Sequence, residues 1–357
     1  MMSEMRPRER ILAAIARKPV DKVPTDYWGT AKTTAILLKA LKVPDEISLW
    51  KALGVDKIID ILPDYIGPPL KSGNGHFTNY WGVDFVVTEA AGGAEEYNEI
   101  ACSPLADYET IDEIEANYTW PSADWFDYSN IAEKCAAYPD YAIYCGHMAP
   151  FYWYFKIRGI EQTLFDLAAD EQLAEYIIGR ITGFLLEHNR RIFEAGNGRI
   201  DVAHVTDDFG TQRGLMISLD MFRKYFSAPF RRCVKLVKDY GIHVMHHDDG
   251  AIMELIPDLV ELGIDVLNPI QWHLPGMDLS ELKSRFGGKI CFHGGIDNQY
   301  MLPFGSREEI EQEVGTCIEK LSSDGTGYIV SPCNYLQAIT PVENIVAMYE
   351  TANRFRF

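Results

Sequence analysis

The chain has 357 residues, of which 47% are hydrophobic and 24% are charged, a balance typical of a folded globular protein and not of a disordered one. Its formal net charge is −19, and no run of lysines and arginines could follow a phosphate backbone, so nucleic acids and anionic membranes are excluded as partners. The seven cysteines are scattered and never form a Cys-x-x-Cys pair, which argues against a disulfide framework.

The amino-terminal segment has no apolar core of a signal peptide, and no apolar stretch approaches the length of a membrane span. Together with the unpaired cysteines, this predicts a cytoplasmic protein. The first predicted element is an amphipathic helix over Arg6–Ala16, with Ile11, Leu12 and Ile15 on one stripe. A short strand over Val23–Tyr27 follows it.

The stretch from Pro63 to Asn98 is irregular and rich in glycine, proline and tyrosine, and Phe77–Thr88 has the pattern of a hairpin. Long structured loops of this kind often form lids or substrate walls. We therefore predict an inserted hairpin and loop region that covers one mouth of the fold.

From about residue 140, short β-branched or aromatic runs alternate with helical stretches, which is the rhythm of parallel βα units. With the strand at Val23 and a weaker one near Ile58, eight strands can be counted, and no linker interrupts the series. The sequence predicts an α/β protein with a (β/α)8 TIM-barrel fold, as a single domain over residues 1–357. The later predicted strands are Ala142–Cys145, Asp201–Val205, His243–His247, Val266–Asn268, Lys289–His293 and Tyr328–Val330.

Polar residues gather where these predicted strands end. Parallel barrel strands deliver their carboxyl ends to one face, where the active sites of this fold lie. The clustering therefore predicts an enzyme with its site at that rim. The candidate substrate-binding residues are Asp26, Tyr27, Trp28, His147, Asn268, His293, Asp297 and Asn334.

The run His246-His247-Asp248-Asp249-Gly250 is the sharpest local feature. Alternate residues of an extended chain share a side, so His247 and Asp249 can converge on one point, and Cys333 after the last strand reaches the same rim. Imidazole, carboxylate and thiolate are zinc ligands, and three of them leave an open position. The alternatives are a hydrogen-bonded polar rim without metal and a buried cysteine that only packs.

Several segments resemble the uroporphyrinogen decarboxylase superfamily over nearly the whole chain. They are Arg8–Pro24, Thr206-Asp207-Asp208-Phe209-Gly210-Thr211-Gln212, Phe292-His293-Gly294-Gly295-Ile296-Asp297 and Thr340-Pro341-Val342-Glu343-Asn344-Ile345. The resemblance implies one barrel with two chemistries. One is cofactor-free decarboxylation of porphyrinogen acetates, and the other is zinc-dependent methyl transfer between corrinoid proteins and thiols or methoxy compounds.

Two departures from these patterns separate the chemistries. The decarboxylases carry an arginine-rich stretch after the first strand, where this chain has Asp26-Tyr27-Trp28-Gly29-Thr30-Ala31 and no cationic fork for carboxylates. The methyltransferases carry His-x-Cys-Gly, and alignment on Gly250 places His247 on their histidine and Asp249 on their first cysteine, with Cys333 near their second. A His/Asp/Cys set is harder than His/Cys/Cys and suits activation of an oxygen atom.

The resemblance thus favours the zinc-dependent methyltransferase component of a corrinoid-dependent O-demethylase, which moves a methyl group between a small methoxylated substrate and a corrinoid protein. His246, Asp207 or Asp208 would hydrogen-bond the leaving group or supply a proton, the alternative for the two aspartates being helix capping. The other readings are a metal-free decarboxylase-type lyase and a non-catalytic corrinoid-binding accessory protein. A homo-oligomer is left open.

Overall fold

The computed structural model describes residues 4–89 and 96–357. Most helices in this part of the chain lie, in sequence order, between strands of one parallel sheet. None of them is long and apolar enough to cross a membrane. The helices are α1 Pro7–Ile15, α2 Ala31–Leu41, α3 Glu46–Leu53, α4 Ile111–Asn117, α5 Ile131–Ala136, α6 Pro150–Arg158, α7 Ile160–Ala169, α8 Glu171–Ala195, α9 Leu219–Met221, α10 Ser227–Asp239, α11 Ile256–Leu262, α12 Leu279–Phe286, α13 Met301–Phe304, α14 Arg307–Leu321 and α15 Val342–Arg354.

The strands form one parallel sheet and two smaller antiparallel sheets. The parallel sheet has seven strands in the order β1-β8-β9-β10-β11-β12-β13, so neighbours in this sheet follow one another in the chain. All seven correspond to strands predicted from the sequence, including the weak one near Ile58. The strands are β1 Ile58–Asp60, β2 Asp64–Tyr65, β3 Ser72–Gly73, β4 His76–Thr78, β5 Asp84–Glu89, β6 Glu96–Cys102, β7 Phe126–Asp127, β8 Ala142–Met148, β9 Val202–Val205, β10 His243–His247, β11 Val266–Asn268, β12 Cys291–Ile296 and β13 Tyr328–Pro332.

The predicted strand at Val23–Tyr27 is not a strand of this sheet, and the sheet is a curled one of seven strands instead of the full eight-stranded barrel. Thr25 forms a single parallel bridge with Val330. The Asp26 N–H donates to the Val330 carbonyl at 2.9 Å, and the Asp56 N–H donates to the Thr25 carbonyl at 2.9 Å. This extended segment therefore lies between the last strand and the residues that lead into the first, too irregular to continue the ladder.

Side chains that point inward from the sheet form two layers of opposite character. The lower layer is apolar and packs on Ile11, Ala14 and Ile15 of α1, which closes that end of the sheet; it consists of Ile58, Ala142, Val202, Met245, Val266, Cys291 and Ile329. Because side chains alternate along a strand, the residues two positions further along share the same side. All seven of these are polar: Asp60, Tyr144, His204, His247, Asn268, His293 and Ser331.

The hydrophobic periodicity of the segment Glu161–Ala195 predicts helix throughout, but the structure divides it into α7 and α8. The side chain of Asp170 accepts a hydrogen bond from the Leu173 N–H and so caps α8 at its start. A similar local signal starts α14, where Ser306 and Glu309 form a reciprocal capping box. Capping residues thus set helix boundaries that the hydrophobic periodicity alone does not show.

The described part of the Pro63–Asn98 insertion confirms the hairpin, because β4 pairs with β5 in antiparallel register. Strands β3 to β6 form a four-stranded sheet. The insertion is anchored by Trp81, which stacks on Trp153 of α6 at 5.0 Å and packs on Phe184 of α8. Residues 90–95 of the predicted insertion lie outside the described residues.

We expect the contact between α1 and the lower layer to carry much of the stability of the fold. Ile11 is fully buried in that contact. Replacing Ile11 with alanine leaves a cavity and should lower the free energy of unfolding by about 2–5 kcal/mol, as measured by urea denaturation. The same change at the exposed Ile66 should stay within about 0.5 kcal/mol of the wild type. Equal losses in the two variants would contradict this role of α1.

Candidate active site

A cavity of about 490 Å³ lies at the carboxyl ends of the first parallel strands. Its floor includes Ile58 and Met245 of the lower layer, and its upper wall includes Asp60, Tyr144 and the imidazole of His247. The polar groups of the cavity thus lie directly beyond the apolar lower layer. A cavity of this size and composition is typical of a small-molecule site.

Asp26 is a fully buried carboxylate at one wall of the cavity. One carboxylate oxygen accepts from the Ile58 N–H at 2.9 Å, and the other accepts from the Trp28 indole N–H at 2.8 Å. Burial alone would raise the pKa of Asp26, but Lys57, 3.6 Å away, and His293 outweigh burial and hold it well below its ordinary value. Asp26 is therefore an ionised hydrogen-bond acceptor.

A chain of hydrogen bonds runs from Asp26 to His247. His293 Nε2 lies 3.1 Å from Asp26, His293 Nδ1 lies 2.7 Å from the Asn268 amide nitrogen, and the Asn268 oxygen lies 2.6 Å from His247 Nδ1. Because ionised Asp26 only accepts, His293 carries its proton on Nε2 and accepts on Nδ1 from Asn268. Asn268 then accepts from His247 Nδ1–H. His247 Nε2 is left with a lone pair, 3.9 Å from the Asp249 carboxylate.

Two further imidazoles, His147 and His204, line the same cavity. Burial and the neighbouring His247 lower the pKa of His147 to about 4. Burial and the other histidines lower the pKa of His204 well below its ordinary value. His204 stacks on Tyr144 with 4.1 Å between ring centroids. At neutral pH the cavity wall therefore presents uncharged imidazoles.

Asp60 projects into the cavity from the end of β1. Burial raises its pKa to about 6, against the opposing influence of Lys57. No protein hydrogen bond to this carboxylate occurs within residues 4–89 and 96–357. Asp60 is thus a carboxylate that is free to meet a ligand.

The predicted zinc ligands are brought together only in part. His247 and Asp249 lie side by side, but the Cys333 thiol is directed at the Ile270 carbonyl at 3.5 Å. Burial raises the pKa of Cys333 well above its ordinary value, which disfavours the thiolate that zinc binds. In the described part of the chain, no group of three or more His, Cys, Asp and Glu side chains could hold a metal ion. The His247, Asp249 and Cys333 set does not fit zinc in this arrangement.

The three predicted catalytic residues lie around the cavity and not in its wall. Asp207 accepts from the Phe151 N–H at 3.0 Å and the Tyr152 N–H at 2.5 Å, so it caps α6. His246 faces the outer side of β10, where its Nδ1–H donates to the Val205 carbonyl at 2.8 Å and its ring packs on Phe230. Neither is positioned to reach a ligand.

Asp208 has a more direct connection to the site than Asp207, because its charge interacts with His247. Burial raises the pKa of Asp208, and the proximity of His247 opposes that rise. It is not among the described residues that line the cavity. Its role is therefore electrostatic at most.

The remaining predicted substrate-binding residues divide into two groups. Tyr27, Trp28 and Asn334 line the cavity, and Asn334 donates to Asp249 at 2.8 Å. Asp297 instead accepts from the Gln299 N–H at 2.7 Å and organises the loop before α13. The structure thus does not bring Asp297 to the cavity.

Asp60, Tyr144 and His204 line the cavity but were not recognised from the sequence. All three lie within strands β1, β8 and β9, whereas most of the predicted site residues lie at or after the ends of the predicted strands. The signal that could have found them is alternation, since each lies two residues beyond an apolar residue of the lower layer.

Comparisons with known proteins agree with this architecture. The sequence profile of the uroporphyrinogen decarboxylase (URO-D) family matches residues 126–355. A uroporphyrinogen decarboxylase from Trichodesmium erythraeum is 28% identical over 103 residues, which cover 29% of this chain and only 26% of that protein. The match therefore spans about a quarter of that relative's length.

Two solved structures resemble the chain over most of its length. A methyltransferase from Methanosarcina mazei superposes with a TM-score of 0.70 at 16% identity, over 98% of this chain and 99% of that one. A B12-independent methionine synthase from a Shewanella species gives a TM-score of 0.47 at 11% identity, over 92% and 97% of the two chains. The first similarity establishes a shared α/β fold.

The structure is that of an α/β protein with a curled parallel sheet and a cavity at the carboxyl ends of its strands. Because the family profile matches more than half of the chain, the protein belongs to the uroporphyrinogen decarboxylase family.

We expect Cys333 to make no contribution to metal binding, because burial raises the pKa of its thiol and the thiol donates a hydrogen bond to the Ile270 carbonyl. Elemental analysis of the Cys333→Ala variant should give the zinc content of the wild type. The exposed Cys102 supplies the control variant, Cys102→Ala. A zinc content that falls in the Cys333 variant alone would restore the original three-ligand prediction.

The neutral His147 should make the protein sensitive to acid. Its pKa is about 4 in the fold and 6.5 when unperturbed, so between these values the unfolded chain binds the extra proton. The contribution to stability is complete above pH 6.5 and is lost as the pH falls towards 4, about 2 kcal/mol of it by pH 5.

Replacing His147 with glutamine should therefore reduce, by about that amount, the loss of unfolding free energy between pH 7 and pH 5. Urea denaturation at the two pH values measures the difference. The exposed His76 provides the control variant, His76→Gln. An unchanged pH dependence in the His147 variant would show that this imidazole is not held neutral.

Proposed function

We propose that the protein is a methyltransferase that moves a methyl group between an oxygen atom of a small methoxylated substrate and a corrinoid carried by a separate protein. The observation that carries the proposal is the relay from Asp26 through His293 and Asn268, which leaves His247 Nε2 with a lone pair in the cavity wall. The superposition on the Methanosarcina methyltransferase over nearly the full length of both chains supports it.

Transfer of a methyl group from an ether oxygen breaks a carbon–oxygen bond and leaves an alkoxide or phenoxide, which needs a proton. His247 first takes a proton from water on its free Nε2 and then donates it to the leaving oxygen, with Nδ1–H anchored on Asn268. Asp249, 3.9 Å from Nε2, stabilises the imidazolium in its protonated state. In the reverse direction His247 takes the proton from the hydroxyl that accepts the methyl group.

A reduced corrinoid held by a partner protein would supply the nucleophile that accepts the methyl group. The cavity, at about 490 Å³, is too small to enclose a whole corrinoid. It opens beside Tyr335, which is 53% exposed, so the acceptor would approach from that side. The part of this chain is to bind and orient the methylated substrate and to manage its proton.

Zinc has no step in this proposal, because the described ligand set does not fit it. The predicted polarisation of the ether oxygen by zinc is replaced by proton donation from His247. Zinc content remains a prediction from the sequence, tested by the elemental analysis of the Cys333 variant.

Decarboxylation of uroporphyrinogen is the alternative that the family name suggests, and the charges of the cavity disfavour it. Asp26, Asp60 and Glu46 line the cavity, and among the described lining residues Lys57 is the one cation, already 3.6 Å from Asp26. A substrate with eight carboxylates would meet net negative charge and no arginine fork.

We expect the His247→Gln variant to lose about 10²–10⁴-fold in the rate of methyl transfer, because glutamine cannot deliver the proton. The measurement is release of the demethylated product from a panel of methoxylated compounds, in the presence of a cobalt(I) corrinoid protein. His243→Gln changes the same residue type at the opposite end of β10 and should keep the wild-type rate.

Four results would count against the proposed function. Demethylation without a corrinoid protein would contradict the partner, and equal rates in the two histidine variants would contradict the role of His247. Conversion of uroporphyrinogen to coproporphyrinogen would favour the lyase. Absence of any methyl transfer across the panel would favour a non-catalytic accessory protein.

A further inference from the structure

We infer that the cavity selects a neutral, ring-shaped ligand with several hydroxyl groups, such as the methyl ether of a cyclic polyol or sugar. The inference deepens the proposed function. Only the presence of a methyl group on the ligand rests on that proposal. The hydroxyl groups of the ligand are inferred from unpartnered polar side chains, and its ring from the aromatic lining of the cavity and the spread of those side chains around it.

Four side chains in the cavity wall have polar atoms without a protein partner. These are the carboxylate of Asp60, the ring nitrogens of His147 and His204, and the hydroxyl of Tyr144; no hydrogen bond to any of them occurs in the described ranges. Asp60 is exposed, Tyr144 and His147 are half-buried and His204 is buried, so their unpaired polar atoms are open to the cavity. Their convergence on one cavity points to a ligand that satisfies them.

These groups offer both hydrogen-bond acceptors and donors. The ionised carboxylate of Asp60 only accepts, each neutral imidazole of His147 and His204 has one acceptor and one donor nitrogen, and the Tyr144 hydroxyl does both. A ligand that matches them must itself both donate and accept. Hydroxyl groups meet this need without adding charge.

The acceptors are spread around the cavity and not gathered at one end. They come from β1, β8, β9 and β10, which are consecutive strands of the sheet. Trp28 lies near this ring of groups, with its indole 6.4 Å from His204 and 5.8 Å from His247. The arrangement suits a ring with one face on an aromatic surface and hydroxyls around its edge.

An unsubstituted aromatic methyl ether would fit the apolar surface but would leave Asp60, His147 and His204 without donors. Each acceptor left unpaired lowers affinity by about tenfold. Anionic compounds are opposed by Asp60 and Glu46, since Lys57 is already engaged with Asp26. Neutral polyol ethers are the class that meets both conditions.

The test is isothermal titration calorimetry on the full chain without any corrinoid protein. The probes are methyl glucopyranoside and a mono-O-methyl inositol, with methoxybenzene and 4-methoxybenzoate for comparison. We expect at least one of the two polyol ethers to bind at least about tenfold more tightly than methoxybenzene, and 4-methoxybenzoate to give no measurable binding.

The matched variants are Asp60→Asn and Asp64→Asn, the same substitution at a cavity carboxylate and at an exposed one paired with Lys134. Asp60→Asn should weaken polyol binding by about tenfold and leave methoxybenzene unchanged, whereas Asp64→Asn should change neither. Far-ultraviolet circular dichroism checks that both variants are folded.

The inference is overturned if neither polyol ether binds, if methoxybenzene or 4-methoxybenzoate binds more tightly than both, or if the two variants behave alike. Because no methyl acceptor is present, its failure is distinct from that of the proposed function. Methyl transfer from an aromatic ether with no polyol binding would defeat the inference alone. Polyol binding with no methyl transfer would defeat the function alone.

Discussion

The buried charge of Asp26 is the constraint on which the rest of the site depends. A carboxylate removed from water is costly unless hydrogen bonds and opposite charge compensate it. Here the compensation comes from Trp28, the Ile58 backbone, His293 and Lys57, which belong to separate parts of the chain. Meeting this need ties the extended segment before α2 to β1 and β12.

The same compensation fixes proton positions across the sheet. Ionised Asp26 requires a proton on His293 Nε2, and each later tautomer in the relay follows from the one before it. The tautomer of His247 is therefore set by a carboxylate it does not touch. A group held in one tautomer by its neighbours needs no reorganisation when a substrate binds.

The apolar layer contributes mainly to the stability of the fold, and the polar layer supplies the groups that can contact a ligand. The lower layer and α1 bury hydrocarbon and close one end of the sheet. The upper layer holds neutral imidazoles and a carboxylate without protein partners, which costs folding free energy and leaves groups free for a ligand. The net negative charge of the cavity wall and the lack of an arginine among its described residues are poorly suited to a polyanionic ligand, and this is the basis for proposing a neutral one.

The sequence by itself determined the seven strands of the parallel sheet and the rim where polar residues cluster, because hydrophobic periodicity and strand-end polarity are local properties. It also identified Asp26, His247, Asn268 and His293. It could not show that His246 and Asp207 point away from the cavity, that the Cys333 thiol hydrogen-bonds to the Ile270 carbonyl, or that Asp60 and His204 face the cavity. Those facts depend on strand rotation and on contacts between residues far apart in the chain, and only packing in three dimensions decides them.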